Sequence, residues 1–259
     1  MALVTGAPGW LGTRLVRALI KGLPDVPLLA EPQPDRRVRC LVLSGVNDSA
    51  LRRIGERVEV VEGDLREPSS LRAFCKGSAG ATLFHCAGLI HPTRGVKQLY
   101  EVNVEGVQDL IEAAGLAGVK RLVSVSSNSP IGCNPYADHV FDESSPFHPY
   151  MAYGRSKMLM EQAVGEAGAR GKIETVIVRP TWFYGPGQPP RQTQFFRMIR
   201  DGKCPIVGDG SNKRSLSYVD NTCQGLLLCE RNERAKGQTY WLADRRPYSM
   251  NEIVDTIER

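Results

Sequence analysis

Tyr153-Gly154-Arg155-Ser156-Lys157 sets a phenol and an ammonium four residues apart. On a helix such positions share a face about one turn apart, so both side chains can enter one site. At roughly 4 Å and an effective dielectric near 20, a phenolate and an ammonium attract by about 4 kcal/mol. That attraction would bring a phenol from its ordinary pKa of ~10 towards neutrality, where it can serve as a general acid and base. The same spacing also arises by chance, so its weight depends on its surroundings.

A second chemical signal lies at the N-terminus. Gly6-Ala7-Pro8-Gly9-Trp10-Leu11-Gly12 repeats glycine at every third position. It follows the short apolar strand Ala2-Leu3-Val4 and opens a helix running from Trp10 to about Lys21. A strand-turn-helix of this kind brings backbone N–H groups and the positive end of a helix to a pyrophosphate. A plain tight turn is the alternative. The spacing is G-x-x-G-x-x-G, not the G-x-G-x-x-G of many dinucleotide folds. The second strand, Val38 to Leu43, ends at Ser44-Gly45 with no acid in place to bind a ribose. Ser44 and the nearby arginines therefore favour NADP over NAD. Asp64, after a third strand, can reach an adenine amino group or simply cap a turn.

These groups must be positioned by alternating elements. Strands are expected at Val58–Val61, Ala81–Cys86, Arg121–Val125 and Ile173–Val178. Helices are expected at Ser69–Cys75, along an amphipathic stretch marked by Leu99, Val102, Asn103, Val107, Leu110, Ile111 and Ala114, and from Tyr153 to about Ala169. The alternation implies βαβ units in a doubly wound, Rossmann-type α/β fold with a parallel sheet. Beyond Pro180 it weakens. Residues 1–180 read as a dinucleotide-binding domain, and 181–259 as a small substrate lobe interleaved with it. Ser249-Met250-Asn251-Glu252 is a capping box opening a last helix. That helix stops early, and the lobe reads as incomplete.

The chain has 259 residues and a formal net charge of +5. Its basic runs are interleaved with acids and turn formers, and lack the aromatic residues of a nucleic-acid platform. Seven cysteines without a C-x-x-C pair read as reduced thiols. The four histidines have no metal-ligand spacing, so no metal site is expected. No apolar run is long enough to span a bilayer, and no signal peptide is apparent. The expected setting is cytoplasmic.

Taken in order, Thr5-Gly-x-x-Gly-x-x-Gly12, Gly63-Asp64-Leu65, Ala87-Gly88, Asn103, Ser126-Ser127, Tyr153-x-x-x-Lys157 and Arg179-Pro180 resemble the extended short-chain dehydrogenases/reductases. This is the branch with nucleotide-sugar epimerases and 3β-hydroxysteroid dehydrogenases. The resemblance implies an NAD(P) cofactor held by the residues from Gly6 to Gly12, by Ser44, Asp64, Leu65, Ala87, Gly88, Asn103 and Pro180, and by Lys157. It implies that Tyr153 exchanges a proton with a substrate hydroxyl or carbonyl while hydride passes to or from the nicotinamide. Lys157 would depress the tyrosine pKa. A polar residue at the end of the Arg121–Val125 strand, Ser127 or Asn128, would bind the substrate oxygen.

Family resemblance also addresses the substrate. Trp182 stands where nucleotide-sugar enzymes usually carry an asparagine, which suits a hydrophobic substrate, and Phe183 follows it. Core packing is the alternative for either. Arg214 occupies a position often used to bind phosphate, which points the other way, unless it is a surface arginine. Tyr218 belongs to a stretch near the substrate in the family. The expected activity interconverts a secondary alcohol and a ketone. A sugar-nucleotide epimerase or dehydratase is the second reading, and a silent cofactor-binding sensor the third. The helices around Leu99–Ala114 and Tyr153–Ala169 resemble the pair through which family members form homodimers.

Overall fold

The computed structural model describes residues 1–258. Strand β1 (Ala2–Thr5) is wholly buried, as a short apolar run covered on both faces must be. Around it stand β2 (Val38–Val42), β3 (Val58–Glu62), β4 (Thr82–His85), β5 (Arg121–Val125) and β6 (Glu174–Pro180). Their order is β3-β2-β1-β4-β5-β6, and a later strand, Thr239–Leu242, extends the sheet beyond β6. Every pairing in this seven-stranded sheet is parallel. The winding direction reverses between β1 and β4. A doubly wound sheet opens a crevice at the carboxyl ends of its strands at that point. Thr5 lies beside Leu41 on one side and His85 on the other, so the strand ends come level there.

Two helical layers cover the sheet. On one face, α1 (Trp10–Lys21) and α2 (Ser49–Arg52) pack with a later helix, Val219–Arg231. On the other lie α3 (Pro68–Cys75), α4 (Lys97–Tyr100), α5 (Gly106–Leu116) and α6 (Met151–Ala169). The expected single helix through Asn103 is interrupted. Residues Glu101–Glu105 form a π turn between α4 and α5. Such single wide turns recur at functional sites, and this one carries Asn103.

Beyond β6, β7 (Trp182–Tyr184) pairs with β9 (Leu216–Tyr218), and β8 (Lys213–Arg214) with β11 (Tyr248–Ser249). Helix α7 (Pro190–Arg200) and α9 (Met250–Glu258) complete a small core around Ile199, Leu216 and Ile253. The capping box is formed: Glu252 N–H donates to Ser249 Oγ at 3.1 Å, and Ser249 N–H to Glu252 Oε2 at 2.8 Å. Between these pieces, α8 (Val219–Arg231) and β10 (Thr239–Leu242) return to the main sheet. The buried Arg121 guanidinium anchors that return. It donates to the carbonyls of Cys229, Glu230 and Asn232 at the end of α8 and to Glu174 on β6.

Candidate active site

The glycine loop folds back on its own backbone. Gly6 adopts φ +83°, which favours glycine, and a Cβ there would lie 2.5 Å from the Ala87 nitrogen after β4. A Cβ on Gly12 would lie 2.5 Å from the Gly6 carbonyl oxygen. Helix α1 therefore starts hard against the end of β1. No side chain caps its N-terminus, so its first N–H groups and its positive end face outward. Beside them lies a cleft of about 330 Å³. Gly6, Ala7, Pro8 and Gly9 form one wall, and Asp64, Leu65, Ala87 and Gly88 line it further.

The end of β2 contributes Leu43 and Val46 to this cleft, and Ser44 is not among its lining residues. Ser44 stands between these two lining residues, at the rim of the cleft. Asp64 is engaged by Arg66. Its carboxylate accepts from the Arg66 backbone N–H at 2.9 Å and from the guanidinium at 2.5–3.1 Å. Those bonds hold the carboxyl below its usual range, against the opposing effect of burial.

Tyr153 and Lys157 both belong to α6, whose first turn is pressed against the end of β5. A Cβ on Gly154 would lie 2.6 Å from the Ser129 carbonyl oxygen, so this contact requires glycine. Just before Tyr153, Met151 adopts φ +56°, the left-handed region that L side chains rarely visit. Burial pushes the Tyr153 phenol above its ordinary pKa, and the neighbouring Ser127 hydroxyl, hydrogen-bonded to it, pulls the other way. Lys157 is 2% exposed. Its ammonium donates to the Val125 carbonyl at 2.9 Å and lies 2.9 Å from the Met160 sulfur. Lys157 is not among the influences on the Tyr153 phenol. The ammonium is turned to the strand end, and burial dominates at the phenol.

Of the two strand-end candidates, Ser127 is the one beside Tyr153. Its hydroxyl also bonds Ser129 Oγ at 3.1 Å and donates to Asn128 Oδ1 at 3.2 Å. The Asn128 side chain is exposed, and its backbone carbonyl accepts from Ile131 and Gly132.

Asn103 is buried and uses both ends of its amide. It accepts from the Leu89 N–H at 2.8 Å and donates to the Leu89 carbonyl at 2.9 Å and to Ser156 Oγ at 3.0 Å. Ser156 in turn donates to the Tyr153 carbonyl at 2.8 Å. The π turn thus ties the Gly88-Leu89 loop to the helix bearing Tyr153. His85 bonds Thr5 Oγ1 at 2.8 Å across the β1–β4 crevice. Burial, and then the charge of Lys157, push its pKa down to about 3, so the imidazole is neutral.

The other predicted residues divide between two packing regions. Pro180 closes β6 and is buried. Phe183 meets Trp10 edge-on at 6.1 Å, and Trp10 Nε1 donates to the Pro186 carbonyl at 2.8 Å. Trp182 packs against Phe195 and Phe196, with the Arg214 guanidinium over its ring at 5.4 Å. Tyr218 meets Tyr184 at 5.4 Å, and its N–H donates to Asp244 at 3.2 Å. Sequence reasoning missed Ser156, Met160, His85 and Arg66. Buried hydrogen bonding of this kind leaves no spacing signature. Among the described residues, no group of three His, Cys, Asp or Glu is arranged to hold a metal ion. None of their helices is long and apolar enough to cross a membrane.

A family model described as NAD dependent epimerase/dehydratase matches residues 2–243. The chain belongs to that family. Family relatives include the uncharacterized protein y4nL of Sinorhizobium fredii, 52% identical over 99% of this chain and 71% of that protein. The 3 beta-hydroxysteroid dehydrogenase type 7 of Mus musculus is 31% identical over 96% of this chain and 70% of its own length. Among solved family structures, DesIV, a dTDP-glucose 4,6-dehydratase from Streptomyces venezuelae with NAD and TYD bound, superposes with a TM-score of 0.82. It is 27% identical and covers 99% of this chain and 79% of its own. The chain spans 46–71% of the length of curated family relatives such as these.

Proposed function

We propose that this protein is an NAD(P)-dependent oxidoreductase that interconverts a secondary alcohol and a ketone, with Tyr153 as the proton-transfer group. The observation that carries this reading is the convergence of Tyr153, Ser127 and the buried Lys157 at the ends of β4 and β5, beside the glycine-loop crevice. The residues at that crevice fit a dinucleotide. The loop brings bare backbone to the cleft wall, and the uncapped start of α1 offers N–H groups to a pyrophosphate. A bound nicotinamide supplies the hydride chemistry.

The chain's own residues supply orientation and proton transfer. Ser127 fixes the substrate oxygen beside the phenol. Tyr153 gives or takes the hydroxyl proton. Lys157, seated at Val125, would hold the ribose side of a bound cofactor, and the Asn103–Ser156 bridge keeps the Gly88 loop and α6 in register. For the cofactor, the absence of a carboxylate at the end of β2 supports NADP over NAD. Comparing the two dissociation constants by fluorescence tests that preference. Pairing of two copies through α5 and α6 belongs to the same reading, and Leu116 at the end of α5 is 77% exposed. Light scattering at micromolar concentration tests it.

The substrate side supports a lipophilic alcohol. Trp182, packed against Phe195 in the small lobe, stands where the family resemblance places an amide in sugar-nucleotide enzymes, and a relative is a hydroxysteroid dehydrogenase. A nucleotide-sugar epimerase or dehydratase is the second reading, supported by the exposed Arg214 and by the likeness to DesIV. Turnover of a lipophilic alcohol panel with NADPH or NADH formation supports the first. Turnover of UDP- or dTDP-sugars without net cofactor change supports the second and would overturn the first.

A further inference from the structure

Lys157 occupies an unusual place for a cation. It is almost fully buried, and its hydrogen-bond partners are a backbone carbonyl and a thioether. A buried ammonium facing only neutral groups sheds its proton unless a negative charge stands nearby. The groups acting on it from the surrounding elements are few. Neutral His85 at the end of β4 and the Cys86 thiol just after it feel its charge, and the Val125 carbonyl of β5 accepts from it. One turn further along α6 stands Glu161, which is 3% exposed.

Glu161 is itself fixed in place. Arg179 on β6 donates Nε to both its oxygens at 3.1 Å and Nη2 to Oε2 at 2.7 Å. The Arg179 guanidinium lies 5.6 Å from the Phe147 ring and 5.7 Å from that of Trp241, and its Nη1 has no partner. Tyr153, Lys157 and Glu161 follow one another at four-residue intervals along one face of α6.

We propose that Glu161, oriented by Arg179, is a positioning residue that keeps Lys157 charged and seated at the Val125 carbonyl. The competing account is that Glu161 and Arg179 merely pin α6 to β6. The proposal rests on the oxidoreductase reading only for what the charged lysine is used for. Its electrostatic content stands without that reading. Burial lowers the Lys157 pKa to about 8, with Glu161 the first of the opposing influences.

The test follows the ionisation of Lys157 itself, so it does not depend on turnover. The full chain is labelled with ¹³C-lysine, and the Lys157 signal is assigned by its loss in Lys157→Met. Its titration is then compared between wild type and Glu161→Gln, which keeps the shape of the side chain and removes its charge. The expected result is a downward move of about one pH unit or more, a tenfold smaller charged fraction above the new midpoint. Cofactor affinity at pH 8 should fall in parallel. An unchanged Lys157 titration in a folded Glu161→Gln protein overturns the proposal. If that variant does not fold, Glu161→Leu with Arg179→Met replaces the buried pair by apolar groups, a change that buried pairs often tolerate. A smaller downward move is expected there, because the Arg179 charge is removed as well, and an unchanged or upward titration overturns the proposal. An oxidoreductase reading that failed would show instead as no alcohol turnover, with the Lys157 result unaffected.

Discussion

The Lys157 ammonium donates to the carbonyl of Val125, the last residue of β5, at 2.9 Å. The lysine is thereby an anchor between helix and sheet, and burial governs the ionisation of Tyr153. A phenol whose pKa is raised stays protonated at neutral pH. Ketone reduction, which needs the proton, should hold its rate through neutrality. Alcohol oxidation, which needs the phenolate, should climb with pH by about tenfold per unit below the phenol's pKa. A kcat/KM profile in both directions checks this. An oxidative rate already flat from pH 6 upward would show that the phenol is depressed instead.

Ser127 and Asn128 are adjacent in sequence but differ in surroundings: the Ser127 hydroxyl acts on the Tyr153 phenol, and the Asn128 side chain is exposed. Ser127→Ala should lower kcat by about 10²-fold, the scale of a lost hydrogen-bond donor at a reacting oxygen. Asn128→Ala should leave kcat close to wild type. Steady-state kinetics of the two variants decide it, and the reverse ranking would move the substrate oxygen to Asn128.

The glycine loop tolerates no side chain at Gly12, where a Cβ would sit 2.5 Å from the Gly6 carbonyl. Backbone on both sides cannot yield as a flexible side chain would. Gly12→Ala should cost about 2 kcal/mol or more of stability and abolish measurable cofactor binding. Denaturant melts and fluorescence titration provide the two readouts.

Much of this was legible in advance. The strand-glycine-helix start and the places of β1 to β6 along the chain follow from apolar runs and turn residues that state their own period. The capping box at Ser249 and Glu252 was equally plain. What could not be read depends on distant partners. The end of α8 is held by Arg121, more than 100 residues earlier in the chain, and β10 pairs with β6. The π turn at Asn103 conforms to the same apolar pattern as an ordinary helix.

His85 supplies a pH prediction for stability. Its pKa falls from an ordinary 6.5 to about 3 because burial disfavours the charged ring. The unfolded chain therefore binds a proton at pH values where the folded chain does not. This contribution is fully present above about 6.5 and is lost as pH falls towards 3, at about 1.4 kcal/mol per unit for one group. His85→Gln should flatten that part of the acid limb in urea melts between pH 7 and 4. An unchanged slope would mean that other groups dominate it.

The central claim is that Tyr153 moves the proton beside a nicotinamide. Its most direct test is Tyr153→Phe, assayed for turnover and for cofactor affinity in the same preparation. The account predicts a fall in kcat of about 10²–10⁴-fold with cofactor affinity unchanged. Wild-type turnover in that variant would contradict it.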